Sequence, residues 1–293
     1  MTSIAESFSK IVWRTQLSAA DIDAFNTHEE QVVARLRSDF DVVKIVRMGS
    51  FSRGSAVRGS SDLDLLVVLT RDEIMWGENF KRSGTVMQNV RASLAARFRQ
   101  TDIGRDGQAV VVFFGDDRTV DVVPAAYGGP QKNNGRPLYW IPDGKDGWMP
   151  TAPETHGKYI ADGETASGNK LKSVTRILKY WAGCRSPALP LSGFHLELLL
   201  TQAETCAPGR SLSACVADAL TLLARRDCRA LQDPSRLSGL ISAAPTDAKR
   251  EKLLAAARQS ANWAATAVNY EAGYDAQNAR RYWSMAFNGG FPS

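Results

Sequence analysis

Three aspartates carry the most chemical information in this sequence: Asp62 and Asp64, one residue apart in "SSDLDLLVVL", and Asp121 in "TVDVVPA". Side chains two apart on a strand point to one face, so Asp62 and Asp64 would project together. Carboxylates that close repel, and burying them uncompensated is costly. A divalent cation is the natural compensation, since carboxylates, phosphate oxygens and waters make the oxygen shell that Mg²⁺ favours. Asp121, flanked by valines in another strand candidate, adds a third acid. Three acids from two neighbouring strands can hold two cations for in-line displacement at phosphorus. One ion would activate a 2′- or 3′-hydroxyl, and the other would gather a triphosphate and stabilise the leaving pyrophosphate.

The stretch "GSFSRGS", Gly49 to Ser55, precedes the paired acids. Gly49 and Gly54 leave backbone N–H groups unhindered, and Ser50 and Ser52 add hydroxyls, as an anion-binding nest requires. No GK[ST] follows, which disfavours a P-loop ATPase or kinase. A Gly-Ser loop alone is usually just a turn, and Asp-x-Asp alone is often a solvated strand end. Specificity comes from the combination: eleven residues between Ser50 and Asp62, then the valine-flanked Asp121.

The surrounding pattern supplies the elements that position these groups. Ser18 followed by Asp21 is a capping-box pattern, opening a helix from about Ser18 to Phe40 with apolar residues at three- and four-residue spacing. "DVVKIVRMG" reads as a strand, and "DLDLLVVL" as a second, continuously apolar as in a strand covered on both faces. "VMQNVRASLAARFRQ" has helical spacing. "QAVVVFF" and "RTVDVVPA" are strands joined by the turn-like "GDD". Gly128 to about Gly168 is rich in Gly, Pro and Asn and reads as a long ordered connection with a functional part. After it come helical segments: "GNKLKSVTRILKYWAG", "LPLSGFHLELLLTQAET" with Pro190 where a helix would begin, "LSACVADALTLLARRD" and "TDAKREKLLAAARQSANWAATAVNYEAG".

Composition narrows the class. The chain has 293 residues, 44% hydrophobic and 23% charged, enough for one large domain or two lobes. A net charge of +5 suits an anionic ligand, but no block of five or six Lys and Arg offers a nucleic-acid tail. The four cysteines form no CxxC pair and read as reduced, helix-packed residues, and the three histidines are scattered. There is no run of about 18 apolar residues and no leader pattern, so a cytoplasmic location is expected.

These motifs resemble the nucleotidyltransferase superfamily with a DNA polymerase β-like fold. Its signature is a GS loop, a short helix, DhDh on a strand and a third carboxylate on a later strand. The matching residues are Gly49-Ser50, Asp62-Leu63-Asp64-Leu65 and Asp121. "VDVVPA", a tryptophan-containing connection with "APETH", then "LKSVTRILKYW" and "LSGFHLELL" are similar to the bacterial CD-NTases, relatives of cyclic GMP–AMP synthase and oligoadenylate synthase. The resemblance covers residues 20 to 205, and the rest matches only as a generic helical region.

The resemblance implies an α+β fold: a polymerase β-like core with a mixed sheet over residues 1–165, and a helical lobe over residues 166–293 closing the nucleotide cleft. It implies that Gly49 and Ser50 hold donor phosphate and that Asp62, Asp64 and Asp121 ligate two Mg²⁺ ions, with Mn²⁺ as a substitute. Lys179 would lie against the triphosphate as a point charge; the residue alone also suits, less well, a solvated helix face. Ser192 matches a second phosphate-contacting serine, although Ser192-Gly193 stands where animal relatives often have Ser-Ser. Phe194 falls where relatives stack an aromatic on a base, which does not select the base; by itself it is also a plausible core residue. His195 and Glu197 read as helix-packing positions.

The implied activity is template-independent synthesis of a cyclic di- or trinucleotide second messenger with release of pyrophosphate, in antiphage signalling of the CBASS type. Substrates would be ATP, GTP or both, with pyrimidine NTPs within range, and the product would act on a separate effector. Neither a membrane nor a stable nucleic-acid partner is expected. One rival keeps the chemistry and changes the acceptor to an RNA end or a small molecule. A second, a catalytically inactive nucleotide-binding or scaffold protein, is opposed by the complete set of three acids.

Overall fold

The first two helices begin on the same device. In the computed structural model, which describes residues 3–116 and 118–293, α1 (Ile4–Thr15) starts on Ser3 and α2 (Ala19–Asp39) on Ser18. Each serine hydroxyl accepts from the backbone N–H three residues on. The acid there, Glu6 or Asp21, accepts in turn from the serine N–H. The α2 cap matches the predicted one, whereas α1 was not anticipated.

The chain continues through β1 (Val42–Met48), α3 (Gly49–Arg53), β2 (Leu63–Leu69) and α4 (Arg71–Ile74). A small hairpin of β3 (Met75–Trp76) and β4 (Asn79–Phe80) leads to α5 (Ser83–Arg97). Then come β5 (Asp102–Asp106), β6 (Ala109–Phe113), β7 (Thr119–Pro130), β8 (Pro137–Pro142), β9 (Trp148–Thr151) and α6 (Pro153–Ala166). The sheet runs β1-β2-β7-β6-β5, with β8 branching from the far end of β7 and β9 from β8. Among the described residues β2 and β7 pair in parallel and the other neighbours antiparallel, so the sheet is mixed as expected.

The continuous apolar run of β2 has a direct explanation, because both its faces are covered. Leu63, Leu65, Val67 and Leu69 pack with Phe25, Val32 and Leu36 of α2 and with Val86, Val90 and Leu94 of α5. Leu66 and Val68 join Val111, Val123, Ala125, Tyr139 and Ile141 on the other face. Asp64 and Asp121 precede Leu66 and Val123 by two residues and so belong to that second face.

The segment from Gly128 departs from its reading as one connection. It contains the end of β7, then β8, β9 and the whole of α6. The predicted "GDD" turn joins β6 to β7, but its last residue, Asp117, lies outside the described residues.

The helical part comprises α7 (Leu171–Gly183), α8 (Gly193–Gln202), α9 (Leu212–Arg225), α10 (Asp247–Ala272) and α11 (Ala276–Ala286). A two-stranded ribbon of β10 (Leu231–Gln232) and β11 (Leu240–Ile241) precedes α10. Pro190 does not open α8: the helix starts at Gly193, capped by Ser192, and Pro190 lies in the preceding connection. The fully buried Trp181 donates its indole N–H to Ser260 Oγ and Ala286 O, both at 3.0 Å. All four cysteines are free thiols, Cys206, Cys215 and Cys228 buried and Cys184 half-buried.

The chain divides into two compact units. The sheet unit is Leu17–Gly157 with Pro234–Ser238, and the helical unit holds residues 3–16, Lys158–Asp233 and Gly239–Ser293. This differs from the division at residue 165: the boundary falls inside α6, and α1 belongs to the helical unit. The reason is packing, because Phe8 of α1 meets Trp283, Phe291 and Phe287 at ring-centroid distances of 4.8, 5.1 and 6.2 Å. Among the described residues no helix is long and apolar enough to cross a membrane.

Candidate active site

The Gly-Ser loop and the second acid are fitted to each other. Gly49 follows β1 with φ +69°, a left-handed conformation, and a Cβ there would lie 1.6 Å from Asp64 Oδ2. Only glycine satisfies both conditions. Ser50 is half-buried in the first turn of α3, and its carbonyl accepts from Ser55 N at 3.0 Å. The Ser52 hydroxyl donates to Gly49 O at 3.1 Å and so closes the loop on itself.

Strand register brings the acids together. Met48 pairs with Asp64 across β1 and β2, and Asp64 pairs with Asp121 across the parallel β2 and β7. Asp121 also faces Val111 of β6. Asp121 Oδ1 is buried without a hydrogen-bond partner. Burial pushes its carboxyl up to about 7, and the charges of Asp64, Asp62 and Asp106 add to the shift. Asp62 differs from its expected place. It is exposed, sits one residue ahead of β2, and accepts a hydrogen bond from the Thr119 hydroxyl.

Among the described residues no three His, Cys, Asp or Glu side chains already stand as a metal-holding group. Asp62 nonetheless lies near enough for its charge to act on Asp121, and its carboxylate accepts from the Thr119 hydroxyl. The side-by-side carboxylates and the orphaned, desolvated oxygen of Asp121 nevertheless fit a divalent cation, which would satisfy that oxygen and offset the charge. Thr119, two residues before Asp121, escaped the sequence reading; its signal was the shared face of β7.

The remaining candidates lie in the helical unit. Lys179 is on α7, and a Cβ on Gly193 would approach its Cε to 2.6 Å and its Nζ to 3.0 Å. The absence of a side chain at Gly193 thus makes room for the lysine end. The Ser192 hydroxyl accepts from His195 N at 3.3 Å as the cap of α8, and Ser192 N donates to Ala243 O at 2.8 Å. Phe194 is half-buried against the helical core. His195 Nε2 lies 2.9 Å from Arg229 O, and burial depresses its pKa, so the ring is neutral and structural as predicted. Sequence reading missed Arg176, one turn before Lys179, whose buried Nε has no hydrogen-bond partner and whose pKa burial lowers.

A strand, a Gly-Ser turn into a short helix, and a second strand opening on acids, with a third acid on its parallel neighbour, define a nucleotidyltransferase fold. Residues 1–163 match the family described as Second Messenger Oligonucleotide or Dinucleotide Synthetase domain (SMODS). The chain belongs to that family.

Among curated proteins it is similar to a probable cyclic nucleotide synthase of Bacillus cereus (strain VD146), 24% identical over 169 residues, 49% of this chain and 51% of the relative. It is also 24% identical over 168 residues to a cyclic AMP-AMP-AMP synthase of Escherichia coli (strain MS 115-1), covering 56% of this chain and 51% of that one. The chain thus spans about half the length of the curated relatives it matches. The structure of E. coli MS115-1 CdnC with ATP superposes with a TM-score of 0.73 at 17% identity, covering 98% of both chains. At that identity the likeness is one of fold.

Proposed function

We propose that this protein is a template-independent nucleotidyltransferase that makes a cyclic di- or trinucleotide second messenger from NTPs with release of pyrophosphate. The observation that carries the reading is the pairing of Asp64 with Asp121, with one buried oxygen unpartnered and Gly49 fitted against the other acid. In each round a ribose hydroxyl gives up its proton to solvent and attacks the α-phosphorus, a P–O bond forms to that oxygen, and the bond to pyrophosphate breaks. Mg²⁺, as two ions replaceable by Mn²⁺, would be held by Asp62, Asp64 and Asp121 and would supply charge neutralisation at the triphosphate and a more acidic hydroxyl.

The chain's own groups do the positioning. Gly49 and Ser50 present the loop to donor phosphate, and Asp121 serves the side of the acceptor hydroxyl. Lys179 and Ser192 are the helical unit's groups for the triphosphate, and Phe194 is its aromatic for a base. Family membership supports the reading, as do the similar proteins named as a probable cyclic nucleotide synthase and a cyclic AMP-AMP-AMP synthase. The product would act on a separate effector in CBASS-type antiphage signalling in the cytoplasm, with ATP, GTP or both as substrates. The test is pyrophosphate release from the four NTPs with Mg²⁺ or Mn²⁺ and no RNA. Release only on adding RNA or a small acceptor would favour the rival acceptor.

A further inference from the structure

We infer that Asp21 is a positioning residue for the candidate metal site, an assignment that rests on the reading above. Its carboxylate joins the segment entering β2 to the segment entering β7. Oδ2 accepts from Arg58 Nε at 3.1 Å, and Oδ1 accepts from Arg118 Nη2 at 2.7 Å. Arg58 lies four residues before Asp62. Arg118 immediately precedes Thr119, whose hydroxyl donates to Asp62, and lies three residues before Asp121. One carboxylate therefore ties together both approaches to the three acids.

The clamp is itself anchored. Ser18 donates to Asp21 Oδ2 through its N–H at 2.8 Å and its hydroxyl at 2.6 Å. The α2 helix that carries Asp21 is fixed by Phe25, Val32 and Leu36 against the sheet. The Arg118 guanidinium sits 5.7 Å from the Phe25 ring centroid and also donates to Asp116. Asp116 faces His28, whose ring stacks on Phe114 at 3.8 Å. The Asp21 side chain is only 15% exposed. Capping α2 needs only the contacts with Ser18, so the arginines are a separate interaction. A carboxylate shared by two guanidinium groups fixes direction as well as distance.

Groups that orient metal-binding residues commonly change metal affinity by about 10- to 100-fold when altered. The experiment titrates Mn²⁺ into the intact protein and reads free ion by electron paramagnetic resonance, beside thermal melts. Asp21→Asn is expected to raise the Mn²⁺ Kd by about tenfold. Arg58→Gln leaves the cap and Arg118 in place and should raise it by about threefold, so it carries the test if Asp21→Asn fails to fold. Val32→Ala, which loosens α2 without touching the clamp, should lower Tm with the Kd within about twofold of the parent. Parental Kd values in both Asp21→Asn and Arg58→Gln overturn the assignment. So does a Val32→Ala protein that loses Mn²⁺ as strongly as Asp21→Asn, because general loosening of α2 then accounts for the effect. If the parent binds no Mn²⁺, or binds it equally after Asp62→Asn with Asp64→Asn, the metal-site reading itself falls and takes this inference with it.

Discussion

Asp121 is held under electrostatic strain in the candidate site. Burial comes first among the causes, followed by Asp64, Asp62 and Asp106, and the carboxyl is raised from 3.8 to about 7. The folded chain therefore binds this proton more tightly than the unfolded chain. In the metal-free protein, stability from this group is present below the unfolded pKa and declines as pH rises from 3.8 to about 7. Asp121→Asn removes the charge and should stabilise the metal-free fold at pH 8 by ~2 kcal/mol, several degrees in Tm, with no gain at pH 4. Melts in chelator at the two pH values check this, and an unchanged Tm at pH 8 would contradict it. In the helical unit, Lys179→Ala should raise KM for NTP by about 10- to 150-fold with a smaller fall in kcat, since a phosphate contact persists from ground state to transition state. Gly193→Ala should act in the same direction but less, at nearly unchanged Tm, because the atom it displaces is the flexible end of Lys179. Steady-state kinetics on both variants decide whether Lys179 meets substrate, a KM within about twofold of the parent marking a lysine that does not.

At the scale of elements, the turn from β1 into α3 sets the site. Gly49→Ala combines a positive φ with a clash at Asp64 Oδ2, and should cost ~2 kcal/mol or more and suppress pyrophosphate release. A variant that melts and turns over like the parent would remove Gly49 from the account. The strands and helix bearing the acids were legible because their signals are local: the capping box at Ser18, the doubly covered run of β2, the valines around Asp121. Strands β8 and β9 were not, since Pro137, Pro142 and Pro150 and the glycines between them have the composition of a loop. Their strand character comes from pairing with β7 and each other, which no local pattern records. Likewise Asp62 reads as a strand residue, but pairing begins one residue later. The clamp from Asp21 to Arg58 and Arg118 and the space that Gly193 leaves for Lys179 join residues distant in sequence, so neither has a signature within one segment.

The molecule as a whole divides its chemical groups between two units. The sheet unit holds the acids and the Gly-Ser loop, and the helical unit holds Lys179, Ser192 and Phe194. The acids, loop and α1 lie within the segment that matches the SMODS family. A net charge of +5 with no basic block suits triphosphates better than an extended nucleic acid. The central claim is that the acids join NTPs to one another without a template or primer. The most direct measurement incubates the protein with the four NTPs and Mg²⁺ or Mn²⁺, treats the mixture with alkaline phosphatase, and identifies what survives by mass spectrometry. A closed ring has no terminal phosphate, so the account predicts a phosphatase-resistant cyclic di- or trinucleotide, lost on Asp62→Asn with Asp64→Asn although the double variant melts no lower than the parent. A product consisting only of nucleotides added to RNA or to a small acceptor, or a ring made equally well by the double variant, would contradict it.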